Sequence, residues 1–179
     1  MTVNRSRCDG VSLSAQAKRA EDGKSFLFSS LLTAANAGGV ARWLIKSGNK
    51  HILVSNRIVT TNGDELTYRA YASPVVTSEG TPVTVSPLNI AQSLNTTVKI
   101  YSNPVLSSVG IPLVPSYLPG ADGQGNRSIG NLYANEQVNV VPPNTTLILE
   151  VKNDGSKNPA KVELYIVWSE VKNPSPFQE

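Results

Sequence analysis

Residues Thr67 to Pro82 and Thr97 to Pro112 are two copies of one pattern set thirty positions apart, Thr-x-Arg/Lys-x-Tyr-x-x-Pro-Val-x-x-Ser-x-Gly-x-Pro. Each copy opens as a strand and then meets Pro74 or Pro104, which cannot donate to a sheet ladder. Gly80 and Gly110 then offer a turn, and Pro82 and Pro112 hold the following stretch extended. Two copies are too few for a solenoid, and the other strand-like segments lack the pattern. The repeat therefore predicts a β scaffold carrying two long, matched connections, and long ordered loops on a rigid scaffold are where binding usually resides. Arg69 and Lys99 occupy matching places and are expected at the surface, as candidate interface residues. Pro74, Gly80, Pro82, Pro104, Gly110 and Pro112 are expected to set the shape of the loops, because the φ of proline is fixed and that of glycine is permissive.

The rest of the chain supports a β scaffold. From Ser25 onward the apolar period is two. Trp43 and Ile45 alternate with Arg42 and Lys46, and Leu66, Tyr68 and Ala70 with Thr67, Arg69 and Tyr71. Leu147, Leu149 and Val151 share one face after the break at Pro142-Pro143, and Val162, Leu164, Ile166 and Trp168 form another. Such strands are expected to have one buried and one wet side. Ser47 to Lys50 reads as a hairpin turn returning into His51 to Val59, while Asn62-Gly63-Asp64 and Asn153-Asp154-Gly155 are further turn signals. The sequence holds 13 Gly and 12 Pro among many Ser, Thr, Asn and Val. We expect an all-β chain, a jelly-roll-like antiparallel sandwich of about eight strands.

Residues 1–24 are polar and mixed in charge, and read as an N-terminal arm, disordered or ordered against a partner. Within it, residues 14–21 fit a short helix capped by Ser12 or Ser14 and stopped near Gly23. Residues 25–171 are the expected sandwich and 172–179 a tail that cannot continue a central strand. The first thirty residues hold no apolar core of a secretory signal, and no run of apolar residues is long enough for a membrane helix. Synthesis in a reducing cytosol, with no membrane partner, is the expectation.

Much chemistry is left without its parts. A single cysteine, Cys8, allows no internal disulfide and no Cys-built zinc site. A single histidine, His51, opens a strand and reads as structural, not as a general base. The net charge of +3 falls short of the dense basic stripe of a nucleic-acid binder. Gly120 to Asn126 is glycine-rich, but no Lys-Ser/Thr follows it to cradle a phosphate, and Asp122 alone is a thin calcium ligand set. Glu65 and Glu163 would be a conceivable glycosidase pair, yet no spacing singles them out. Asn95, Asn126 and Asn144 open sequons read as chance matches. No enzyme activity, cofactor or metal is expected.

The segments Leu66 to Pro74, Ser78 to Pro82, Pro87-Leu88-Asn89, Tyr101 to Gly110, Pro142 to Leu147 and Val162 to Glu170 together resemble the head decoration, or cement, proteins of tailed bacteriophages. The resemblance spans about Ala41 to Glu170, and departs where Leu88-Asn89-Ile90 replaces an Asn-x-Asn-Arg run. It implies a structural virion protein, a homotrimer bound to the major capsid protein on the outer surface of a phage head. An alternative is a carbohydrate- or receptor-binding jelly roll of a tail fibre or tailspike, with Tyr117 and Tyr133 stacking on sugars.

Overall fold

The computed structural model describes residues 15–34, 38–61, 66–91, 95–113, 116–118, 127–129, 139–154 and 159–172. Cys8, Asn62-Gly63-Asp64, Glu65, the 120–126 loop, Tyr133, Gly155 and the tail from residue 173 lie outside them. One helix, α1 (Ala15–Glu21), precedes strands β1 (Ser25–Ala34), β2 (Val40–Lys46), β3 (His51–Thr61) and β4 (Leu66–Ala72). The repeats supply β5 (Val75–Ser78), β6 (Thr81–Pro82), β8 (Lys99–Ser102), β9 (Val105–Ser108) and β10 (Ile111–Pro112), with β7 (Ser86–Pro87) between them. Strands β11 (Ser116–Leu118), β12 (Arg127–Ile129), β13 (Asn139–Val141), β14 (Thr146–Asn153) and β15 (Ala160–Val171) complete the chain.

The strands form two antiparallel sheets. One runs β12-β3-β15-β1-β7 with β13 also on β3, and the other β10-β4-β14-β2-β8-β6 with β11 also on β4. Long strands pair first with last: β1 with β15, β2 with β14, β3 with β12 and β13, β4 with β11. That nesting, with β1 to β4 alternating between the sheets, is jelly-roll-like. The expected all-β class and sandwich stand; the strands beyond eight are short pieces, some within the repeats and others, such as β7, β11, β12 and β13, outside them. Among the described residues no helix is long and apolar enough to cross a membrane.

Alternation along each strand turns one side chain in two toward the facing sheet. Phe26 and Phe28 of β1 and Val162, Leu164, Ile166 and Trp168 of β15 thus meet Trp43, Leu66, Tyr68, Ile100, Leu149 and Val151 from the second sheet. The Trp168 ring lies 6.0 Å from Phe26 and 6.2 Å from Phe28, centroid to centroid. One bulge interrupts the β15–β3 ladder between Val167 and Trp168.

Ser47 to Lys50 is not a hairpin turn. It carries the chain from β2 in one sheet to β3 in the other, and neither strand pairs with its neighbour in sequence. Turn residues bend a chain in either topology, so composition could not distinguish the two. Gly48 is needed there for room: a Cβ would sit 2.4 Å from the Thr97 Cβ, and the Gly48 carbonyl accepts from the Asn144 amide at 2.8 Å.

The short helix is held against the sandwich. Its end is a Schellman turn, with Gly23 at φ 70°, the Gly23 amide donating to the Ala20 carbonyl and the Lys24 amide to that of Arg19. Asn89 Nδ2 donates to the Glu21 carbonyl at 2.8 Å, and the Glu170 amide to the Lys24 carbonyl at 2.9 Å.

Candidate functional site: a ribbon built by the repeat

The repeat's two connections pair with each other. After β4 the chain turns at Ser73, φ 55°, runs along β5, turns at Gly80 and lays β6 on the edge strand β8. After β8 it turns at Asn103, φ 54°, runs along β9, turns at Gly110 and lays β10 on β4. The strands β5 and β9 form a two-stranded antiparallel ribbon.

The arrangement has an internal twofold. A shift of thirty positions, up in one copy and down in the other, turns Thr81↔Ser102 into Ile111↔Ala72 and Pro82↔Tyr101 into Pro112↔Tyr71. The same shift relates the Val83 amide donating to the Ile100 carbonyl and the Leu113 amide donating to that of Ala70, each at 2.8 Å. In the ribbon it relates Val75↔Ser108 to Ser78↔Val105, leaving Val76↔Leu106 on the axis. The sheet order β10-β4-β14-β2-β8-β6 is itself symmetric about the central β14–β2 pair.

Two features make this geometry possible. Gly80 and Gly110 have φ of +88° and +92°, the left-handed region where side chains are disfavoured. They also press against the other copy: a Cβ would stand 2.2 Å from the Ser102 carbonyl oxygen at Gly80 and 2.2 Å from the Ala72 carbonyl oxygen at Gly110. Pro82 and Pro112 terminate their short edge strands facing outward, where a missing N–H leaves no inner partner unmet. Pro104 is buried and Pro74 half-buried at the two departures from the sheet.

The ribbon covers apolar residues on the sheet's outer face. Leu44, Tyr71 and Ile148 are buried there, with Val76, Leu106, Val109 and Tyr101 packed around them. The expectation of a single buried side per strand therefore fails for β2, β4 and β14, whose outer residues gain a second small core. Burying a large apolar side chain is worth about 1.5–3 kcal/mol, so this cluster is a sizeable anchor for the ribbon.

Arg69 and Lys99 lie on that outer face, while their neighbours Tyr68 and Ile100 point into the main core. Each belongs to a cluster in which a tyrosine meets a carboxylate paired with a cation. On one side the Tyr71 hydroxyl donates to Glu150 Oε1 at 3.2 Å, Arg42 Nε donates to Glu150 Oε2 at 2.7 Å, and a hydrogen bond with Tyr71 raises the Arg69 guanidinium pKa further. On the other, Lys46 pairs with Glu79, whose carboxyl is held below the usual range first by Lys46 and then by Tyr101. The Tyr101 hydroxyl is pushed up, first by Glu79 and then by burial. The two carboxylates are not repeat mates: residue 109, the mate of Glu79, is Val109.

The ribbon, and β10 beside it, present apolar side chains to solvent. Val75 and Val105, mates in the repeat, are 57% and 56% exposed, and Ile111 is 65% exposed. Solvated apolar groups that cluster on a rigid element mark contact surfaces. They were not singled out from sequence, although Pro-Val stands in the repeat; the missing information was which face the ribbon turns outward.

Other sequence candidates are not gathered here. His51 Nδ1 lies 3.2 Å from the Lys172 carbonyl at the opposite sheet. Glu163 accepts from Ser29 Oγ at 2.6 Å on an exposed face. Thr96 and Thr97, the other members of the Asn95 sequon, bind the buried carboxylate of Glu170, which also accepts from Lys50 Nζ at 3.3 Å. The Thr97 amide donates to it at 2.9 Å, so Glu170 fixes the segment that leads into β8 and the second repeat. No group of three or more His, Cys, Asp or Glu among the described residues could hold a metal ion.

No family model matches the chain, and no curated protein matches it. Among solved structures it is similar to infectious bursal disease virus, Gt strain, at 10% identity and a TM-score of 0.20, covering 97% of this chain and 45% of that one. It is also similar to the T13 particle of that virus, at 10% identity and 0.19, covering 97% and 44%. The chain spans less than half the length of these structures, and likeness of this depth bears on neither fold nor function.

Proposed function

We propose that this protein is a non-enzymatic structural protein of a virion, a decoration protein that binds the outside of an assembled phage head and stabilises it, with the repeat ribbon as its contact. The supporting observation is the ribbon itself: an internally twofold element that exposes Val75 and Val105, with Ile111 exposed on the neighbouring β10. The sequence resemblance to head decoration proteins supplies the partner, the major capsid protein, and the homotrimeric state. Mass action supplies the mechanism: a protein that binds the assembled shell and not its parts shifts the equilibrium toward the shell. In a closed trimer three copies of one modest contact act together through effective concentration.

The test is co-sedimentation of the chain with shells assembled from the major capsid protein encoded alongside it, together with light scattering of the free chain. Binding to shells, loss of binding in the double variant Val75→Asp, Val105→Asp, and a trimer mass are expected. A monomer mass unchanged by dilution removes the trimer. Full binding by the double variant removes the ribbon as the contact. No binding to shells removes the proposed function.

A further inference from the structure

The main core is open at one end. Between the sheets, where β3 and β13 face β4 and β14, lies a cavity of about 350 Å³. Its wall includes Leu147 and Leu149 from one sheet and Val141, Ile166 and Trp168 from the other, and among the described residues it is apolar except for Arg57 and Thr145. Protein interiors are normally packed without voids much larger than a water molecule. The residues lining this open cleft therefore lack part of the packing contacts that a closed core supplies. The volume falls within the range of small-molecule pockets, roughly 300–1,000 Å³, which are likewise apolar with a few placed polar groups.

Two polar groups at this cavity have donors to spare. The Arg57 guanidinium stacks over the Tyr68 ring, 4.7 Å from its centroid, and its Nη1 donates to the Tyr68 hydroxyl at 3.1 Å. Stacking holds the planar fork in place. Among the described residues no carboxylate pairs with it, and a guanidinium has five N–H donors, most of which are left for another acceptor. Trp168, 2% exposed, has a buried indole N–H with no acceptor among the described residues. A buried indole usually finds a partner. Trp43 has the same unmet N–H, but its ring is not in the cavity wall.

We infer that the cavity between the sheets is a binding site for a small apolar carboxylate of the medium-chain fatty acid class, with the chain between the sheets and the carboxylate on Arg57. The apolar wall selects the chain. The stacked, half-buried cation selects the charge, since a carboxylate matches a guanidinium fork with two parallel hydrogen bonds. This site is separate from the ribbon, on the inner rather than the outer face of the second sheet, and does not depend on the proposed role in a virion.

Titration calorimetry of the full chain with decanoate, decanol and decyltrimethylammonium at neutral pH tests it. Decanoate is expected to bind most tightly, decanol more weakly and the cation least. Arg57→Met is expected to lose about 10- to 100-fold in affinity for decanoate, the equivalent of a charge-assisted hydrogen bond, while its affinity for decanol stays within about twofold. Equal affinity of the native chain for decanoate and decanol overturns the inference, as does binding of neither or unchanged decanoate binding by Arg57→Met. Should Arg57→Met not fold, the ligand series on the native chain decides alone.

Discussion

The twofold packing of the repeat can be measured at its two glycines. Gly80→Ala imposes two costs. An L-residue in the left-handed region costs about 1–2 kcal/mol. The new Cβ would also fall 2.2 Å from the Ser102 carbonyl oxygen, a backbone atom that cannot rotate away. Relieving that overlap must lift β6 from β8 and weaken the neighbouring bond from the Val83 amide to the Ile100 carbonyl, at about 0.5–1.5 kcal/mol per hydrogen bond. The expected loss is about 2–4 kcal/mol, or a fall in Tm of about 5–15 °C for a chain of this size. Gly110→Ala should match it, because the Ala72 carbonyl stands at the same 2.2 Å. Gly38 is the control: its φ is +84°, yet nothing lies within 4 Å of its Cβ position, so Gly38→Ala should cost only the backbone part, about 1–2 kcal/mol. Urea unfolding of the three variants, followed by near-UV circular dichroism, gives the comparison. Equal losses at Gly38 and Gly80 would show that the close approach carries no energy. A difference above about 1 kcal/mol between Gly80 and Gly110 would break the symmetry argument.

Other expectations follow from the same geometry. Ser73 and Asn103 are repeat mates with φ of 55° and 54°, and asparagine tolerates that region better than serine, so Ser73→Asn should stabilise by a few tenths of a kcal/mol up to about 1 and Asn103→Ser should destabilise similarly. Thermal melts of the pair test both signs. Burial pushes the Glu170 carboxyl up, but hydrogen bonds from Thr96, Thr97 and Lys50 outweigh it and hold the carboxyl below its usual 4.5. Its contribution is therefore complete above that value and is lost as pH falls through the lower folded value, so denaturant midpoints should decline below pH 4.5 and decline less in Glu170→Gln. At neutral pH Glu170→Gln should cost about 1.5–3 kcal/mol through its charge-assisted bonds, measured by urea unfolding. Deleting residues 1–24 should leave the sandwich folded, since it removes the short helix and few hydrogen bonds, those from Asn89 to Glu21 and from the Glu170 amide to Lys24; loss of the cooperative melt on deletion would make the arm part of the core. Shell binding by the deleted chain is expected to weaken, and binding as tight as that of the full chain would leave the contact to the loops.

Strand identity and inward faces were legible in the sequence because they are local. A period of two is set by the pleat, so Val162, Leu164, Ile166 and Trp168 had to share a side whatever they faced. The repeat was legible for the same reason, as was the need for Gly80 and Gly110 at turns. The pairing of strands was not, because a turn such as Ser47 to Lys50 has the same chemistry whether it closes a hairpin or crosses between sheets.

What the sequence alone determined was an all-β sandwich bearing two copies of one strand-and-turn unit. Tertiary structure decided that the copies embrace, each laying its last strand on the other's first, and that the ribbon between them buries Leu44, Tyr71 and Ile148 while turning Val75 and Val105 to solvent. It also decided that Arg57, unremarkable in its strand, stacks on Tyr68 beside an open end of the core. The reason is range: side-chain alternation needs two residues, whereas these contacts join residues up to more than a hundred positions apart, such as Arg42 and Glu150, and depend on which sheet each strand joins.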